Sequence, residues 1–238
     1  MESLKNKRVL VLGATGGIGS HLVSLLQKSG ALVWIAGRSL PKLAELASTC
    51  QIPSDQLLQV DLADPISVNN FAQNVGLIET PFDIFINAAG IGLIKPLDQL
   101  TTADMQNSFQ VNVMSTFEVV KAILPKMIEV KKGLIINIPG ILGKIPMAGA
   151  AAYCASKYAL VGMMQSIREE VKRTEIRITQ VYLGGVDSPF WDTINLRVQR
   201  EKMIQSEEAA KSIWFLCQQP LSGVVSEMVI QPFNHQAI

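Results

Sequence analysis

Arg8-Val9-Leu10-Val11-Leu12-Gly13-Ala14-Thr15-Gly16-Gly17-Ile18-Gly19 is the stretch that decides the architecture. Arg8 to Leu12 reads as a buried strand, and a helical pattern from about Ile18 to Lys28 follows the turn at once. Gly13 permits the tight turn, Gly17 lets backbone approach a pyrophosphate, and Gly19 permits close packing of helix on sheet. The free N–H groups and dipole at the helix start favour phosphate. Glycine triplets alone say little. Their place between strand and helix makes Gly13, Thr15, Gly16, Gly17, Ile18 and Gly19 a nucleotide-binding expectation.

Outward from this unit, apolar runs alternate with helical stretches. Ala31–Ile35, Leu57–Val60, Phe82–Ile86, Leu134–Ile138, Arg177–Tyr182 and Val224–Ile230 read as further strands. Ser39 is an N-cap and Pro41 a first-turn proline for a helix through Ala47, and a short helix covers Ser67 to Val75. Thr101, Thr102 and Asp104 open a long helix towards Val130, with an interruption expected near Pro125; Ala150 to Arg173 is helical. Such alternation implies right-handed crossovers. The expectation is one α/β domain over residues 1–238, a doubly wound parallel sheet of about seven strands with helices on both faces.

Composition narrows the function classes. The chain has 238 residues, 48% of them hydrophobic and only 17% charged, enough for a large core. A formal net charge of +1 gives no basic patch for nucleic acid or an acidic membrane. Cys50, Cys154 and Cys217 have no metal-ligand spacing, and their odd number suits a reducing cytoplasm. The opening residues from Met1 lead straight into a strand with no signal peptide evident, and Pro139, Lys144 and Pro146 break the longest apolar region, which excludes a membrane span there.

Chemistry is expected at Tyr153-Cys154-Ala155-Ser156-Lys157. Tyr153 and Lys157, four residues apart, share one helix face, and an ammonium beside a phenol favours the phenolate. From Phe117 to Ala152 there is neither Ser nor Thr to give such a pair a second hydroxyl. The second strand ends at Gly37-Arg38: no carboxylate is present for a ribose 2′-hydroxyl, whereas the Arg38 fork suits a 2′-phosphate. That favours NADP over NAD, the bland alternative being a solvated arginine.

Taken together these motifs closely resemble the short-chain dehydrogenase/reductase family, over nearly the whole chain. The glycine turn has that family's GxxxGxG form. Asp61-Leu62 looks like its adenine-contacting pair, and Asn87-Ala88-Ala89-Gly90 is similar to its Asn-Asn-Ala-Gly segment. Asn112 matches the helix asparagine of a water-linked proton relay, and Gly184, Val186 and Ser188 match a cofactor-binding segment, with Leu183 in place of its proline. The resemblance implies a Rossmann fold, Tyr153 as general acid or base, and Lys157 on the nicotinamide ribose. It also locates the missing hydroxyl. Gly140 stands thirteen residues before Tyr153, where the family keeps a serine that donates to the reacting oxygen.

Removing one such donor typically costs on the order of 10²–10³ in rate. A backbone N–H near Gly140, a water, the hydroxyl of Tyr182 or Ser188, or a group on the substrate would compensate, and Gly140→Ser is expected to raise ordinary carbonyl turnover. By the same resemblance the substrate cavity draws on Ile91 to Ile94, Gly140, Ile141, Leu142, Met147, Leu183, Phe190 and Trp191, with Gly185 to Ser206 as a lid and Lys144 near by. This lining suits a small apolar carbonyl or alcohol. A homodimer or homotetramer through the helices bearing Asn112 and Tyr153 is also implied. Three functions stay open: an NADP-dependent oxidoreductase, a catalytically silent NADP-binding regulatory or assembly protein, and an isomerase or lyase using Tyr153 as base.

Overall fold

The computed structural model describes residues 2–194, 196–220 and 222–234. β1 (Arg8–Leu12), α1 (Gly17–Lys28), β2 (Leu32–Gly37), α2 (Leu40–Cys50), β3 (Leu57–Gln59), α3 (Pro65–Leu77) and β4 (Ile84–Asn87) form the first half. α4 (Thr102–Phe109), α5 (Ser115–Glu129), β5 (Lys132–Asn137), α6 (Ala151–Val171), β6 (Glu175–Leu183), β7 (Val186–Asp187), β8 (Ile204–Gln205), α7 (Ser206–Leu216) and β9 (Glu227–Ile230) complete it.

The main sheet has seven strands in the order β3-β2-β1-β4-β5-β6-β9. Every pairing in it is parallel. Period-two alternation splits its side chains between two cores. Val9, Val11, Ile84 and Ile86 meet Leu22, Leu26 and Leu43 of α1 and α2 together with Ile213 and Leu216 of α7. Leu10, Leu12 and Phe85 meet Phe71 of α3, Val120 and Ile123 of α5 and Leu160 and Met164 of α6. Helices therefore cover both faces, and the strand order reverses between β1 and β4. That switch point opens a crevice at the carboxyl ends of these strands.

The ends of α2 and α4 follow from their sequence. Ser39 Oγ accepts the Lys42 N–H, and Thr101 with Asp104 forms a reciprocal capping box. The interruption of the long helix lies elsewhere than expected. α5 runs through Pro125, which lies with Lys121 on the exposed side of the helix. The break is instead a π-helical turn over Gln110–Met114, with Asn112 buried at its centre. A second, two-stranded parallel sheet pairs β7 with β8, which the sequence reading had included in one lid.

Buried amides tie the carboxyl ends of β4 and β5 to each other and to β6. Asn87 Nδ2 donates to Thr116 Oγ1 on α5 at 2.8 Å and to Asn137 Oδ1 at 3.0 Å. Asn137 Nδ2 donates to Gln180 Oε1 at 2.8 Å. The Asn87 carbonyl oxygen of the side chain accepts the Ala89 N–H, which fixes the chain as it leaves β4. Asn87, expected among the cofactor-binding residues, bonds both its amide hydrogens and one lone pair of its oxygen within this floor.

Candidate active site

Tyr153, Ser156 and Lys157 lie on the first turns of α6, facing the π-turn and the loop after β4. Asn112 joins these pieces. Its Oδ1 accepts the Ile91 N–H at 2.9 Å, while Nδ2 donates to the Ile91 carbonyl at 3.0 Å and to Ser156 Oγ at 2.9 Å. Ser156 Oγ in turn donates to the Tyr153 carbonyl at 2.8 Å. Gly90 marks where Lys157 ends: a Cβ there would stand 2.7 Å from Lys157 Nζ and 2.9 Å from Asn112 Oδ1. The loop after β4, the π-turn and α6 are thus locked around one lysine amine. π-turns recur at functional sites for this reason, since the extra residue re-aims a side chain without ending the helix.

Burial sets the proton affinities. Lys157 is 3% exposed, and desolvation lowers its pKa from 10.5 to about 8. Tyr153 packs in the cavity wall, and desolvation pushes its phenol up, with Cys154 adding to the rise. The ammonium lies 5.7 Å from the centre of the tyrosine ring and does not reverse this. The expected lowering of the phenol is therefore not present in the protein alone.

A cavity of about 490 Å³ runs from the glycine turn to this pair. At one end it is lined by Gly16, Gly17, Ile18 and Gly19, with Ala88 and Gly90 beside them. At the other end stand Tyr153, Lys157, Gly140, Ile141, Met147 and Leu183. Phe190 and Trp191 roof it, and Gly184, Val186 and Ser188 complete the wall. Phe190 packs 6.0 Å from the Tyr153 ring and sits on the backbone of Gly92, where a Cβ would be 2.3 Å from its ring.

The segment after β6 is latched to itself. Arg200 donates to the Ser188 carbonyl at 3.1 Å and to the Asp192 carboxylate, and its Nε is 3.7 Å from Asp187 Oδ1. Ser188 is placed over the glycine turn, its Cβ 2.7 Å from where one on Gly17 would stand.

Ile94 and Leu142 line the cavity, whereas Ile91 is not among its lining residues; the Ile91 N–H and carbonyl are both bonded to Asn112. Lys144 is also outside the lining. It pairs with Glu227 at 2.9 Å and lies over the Tyr182 ring at 4.8 Å. The Tyr182 hydroxyl donates to Glu227 at 3.4 Å, which removes it as a substitute for the missing serine. Arg38 is exposed just past β2, and the Thr15 hydroxyl lies 3.3 Å from where a Cβ on Gly37 would be. Beyond β3, Asp61 Oδ1 accepts the Ala63 N–H and the Leu62 carbonyl accepts from Gln110. Arg38, Asp61 and Leu62 are not among the residues that line the cavity.

Gly140 has φ +74° and ψ 172°, a backbone conformation reached essentially by glycine alone. A Cβ built there would meet only Leu183 O at 3.7 Å and Tyr153 Oη at 3.9 Å. The position faces the tyrosine hydroxyl, yet the chain is bent in a way that a serine resists.

The short chain dehydrogenase family model matches residues 7–199. The chain belongs to the short-chain dehydrogenase family. An uncharacterised oxidoreductase of Staphylococcus epidermidis is 27% identical over 232 residues, covering 98% of this chain and 100% of that protein. A metagenomic short-chain oxidoreductase solved in complex with NADP is 28% identical, with a TM-score of 0.81 over 97% of this chain and 99% of that one. An alcohol dehydrogenase of Thermococcus sibiricus, at 20% identity, shares the fold with a TM-score of 0.85 over 98% of this chain and 100% of that one.

Within this short-chain dehydrogenase the glycine turn fits a dinucleotide. The N-cap of α1 is Gly16, with no side-chain hydrogen bond capping the helix start, and one cavity joins that start to Lys157. Sequence reading passed over Ser156, although its place three residues after Tyr153 is the spacing at which a helical serine reaches back to a carbonyl. Ile194 and Met203 also line the cavity and were likewise passed over. Among the described residues no group of three or more His, Cys, Asp or Glu could hold a metal, and no helix is long and apolar enough to cross a membrane.

Proposed function

We propose that this short-chain dehydrogenase is an NADP-dependent oxidoreductase acting on a small, mainly apolar carbonyl or alcohol. The observation that carries the reading is the single cavity linking an uncapped glycine turn to Tyr153 and Lys157 under an apolar roof. A bound nicotinamide supplies or accepts the hydride. In the reducing direction Tyr153 gives its proton to the substrate oxygen, and the buried Lys157 ammonium stabilises the phenolate left behind. Asn112 and Ser156 fix where the hydroxyl and the amine stand. The glycine turn binds pyrophosphate, Ser188 closes over it, and Arg38 meets a 2′-phosphate with Gly37 leaving room beside it.

Fluorescence titration with NADPH and NADH tests this reading. NADPH is expected to bind at least about tenfold more tightly, and Arg38→Ala to abolish that preference with little effect on NADH, a loss of the size of one charge-assisted contact. Equal affinity for the two in the unaltered protein rejects the role of Arg38, and binding of neither rejects the oxidoreductase reading. Tyr153→Phe should retain NADPH binding and lose turnover; unchanged turnover would transfer the acid role to another group.

A further inference from the structure

The polar poverty of the cavity limits the kind of carbonyl that can be reduced in it. Among the described lining residues, side-chain N–H and O–H groups come only from Tyr153, Lys157, Ser188 and Trp191. The Trp191 indole N–H is spent on the Val186 carbonyl at 2.9 Å. Ser188 sits at the glycine-turn end, against Gly17. The Tyr182 hydroxyl faces Glu227, and position 140 holds a backbone that a serine resists. Lys157 Nζ lies against Gly90, 5.7 Å from the centre of the Tyr153 ring, and carries no hydroxyl. A substrate oxygen beside Tyr153 therefore meets one side-chain hydroxyl.

Hydride addition to a simple ketone concentrates negative charge on that oxygen, and lacking one of two preorganised donors costs on the order of 10²–10³ in rate. A carbonyl bonded directly to a second carbonyl does not need the second donor. Its neighbour withdraws electrons inductively, which makes the reacting carbon more electrophilic and the nascent alkoxide less basic.

Resting on the oxidoreductase reading, we propose that the substrates are apolar vicinal dicarbonyls, whose activation lies within the substrate. The carbonyl carbon takes hydride from a reduced nicotinamide dinucleotide, the C=O π pair moves onto oxygen, and that oxygen takes the Tyr153 proton. An α-hydroxy ketone and the oxidised dinucleotide leave. Solvent then returns the proton to the tyrosine.

Benzil and deoxybenzoin share one carbon skeleton and differ by the second carbonyl, so they make the test. With NADPH, kcat/KM for benzil is expected to exceed that for deoxybenzoin by about 100-fold or more, the worth of the missing donor. Equilibrium dialysis without dinucleotide should give dissociation constants within about threefold of each other, because the second carbonyl acts in the transition state. Turnover of the two within about tenfold sinks this proposal alone, since it shows another donor at the oxygen. Benzil binding about 100-fold more tightly also sinks it, by moving the preference into the ground state. NADPH binding with no turnover of either ketone rejects this proposal together with the oxidoreductase reading.

Discussion

At Gly140 the backbone, and not only the side chain, departs from what a serine would need. A residue with a Cβ at φ +74° and ψ 172° is strained by about 1–3 kcal/mol. Gly140→Ser is therefore expected to lower the melting temperature and to leave simple-ketone turnover no higher, contrary to the gain read from the sequence. Higher turnover at unchanged melting temperature would show that the loop re-forms around a serine at no cost. The letters Pro139-Gly140 are a turn dipeptide in which a glycine with positive φ is common, but they do not give the ψ of 172° that makes the position resist a serine. Tyr153 and Lys157 were visible because a spacing of four fixes a shared helix face in advance.

Lys157 gives a residue-scale pH prediction with two opposite signs. As pH rises through about 8 the buried ammonium loses its proton, so kcat/KM for reduction should fall on that limb. Stability should move the other way. The unfolded lysine titrates near 10.5, so between about 8 and 10.5 the unfolded chain holds more protons than the folded one, and unfolding becomes harder as pH climbs. Denaturant midpoints of the protein and of Lys157→Met across this window check it by their difference, because the buried Cys217 thiol, raised from 9.0 to about 12, pulls stability the other way above about 9. A fall in that difference would mean that the amine is better paired than its burial suggests.

Among the elements, the π-turn and the head of α6 act as one unit through Ser156. Ser156→Ala removes the bond to the Tyr153 carbonyl and leaves one Asn112 N–H without its partner, a loss of about 1–3 kcal/mol of stability. Because the tyrosine is then less well held, kcat should fall about tenfold while NADPH affinity is kept, and Ser156→Thr should recover part of it. Equal losses in NADPH affinity and kcat would reduce Ser156 to a packing role. The seven main strands and both helix caps were legible because alternation, runs of β-branched residues and Ser, Thr and Asp signals are local. The π-turn was not, since Gln110 to Met114 contains neither Gly nor Pro, whereas Pro125 is a helix-breaking signal that α5 accommodates on its exposed side. β7 and β8 are two residues each, too short for any period to show.

For the molecule as a whole, the crevice between the β1 and β4 ends puts the proposed cofactor across both halves of the sheet. Saturating NADPH at about 100 times its dissociation constant should stabilise the fold by about 2.7 kcal/mol, read as a rise in melting temperature that NADH at the same concentration does not match. Assembly stands as a proposal. Met114 at 47% exposure, Phe117 at 37% and Tyr158 at 44% leave apolar surface on the π-turn, α5 and α6, and β9 is an edge strand. A homodimer or homotetramer through these helices predicts a light-scattering mass of two or four chains, lowered by Phe117→Glu; a single-chain mass at micromolar concentration sets the idea aside.

The short pairing of β7 with β8 has one more consequence. Val186 stands beside Ile204 and Asp187 beside Gln205, so the chain that leaves the sheet to roof the cavity returns to its own starting point. The roof is thus a drawstring loop with a fixed neck. Exchanging the chain between the two short strands keeps its neck in place but also replaces Phe190 beside Tyr153 and Ser188 over the glycine turn, so a new roof changes the shape of the cavity and the fit of its cofactor end together.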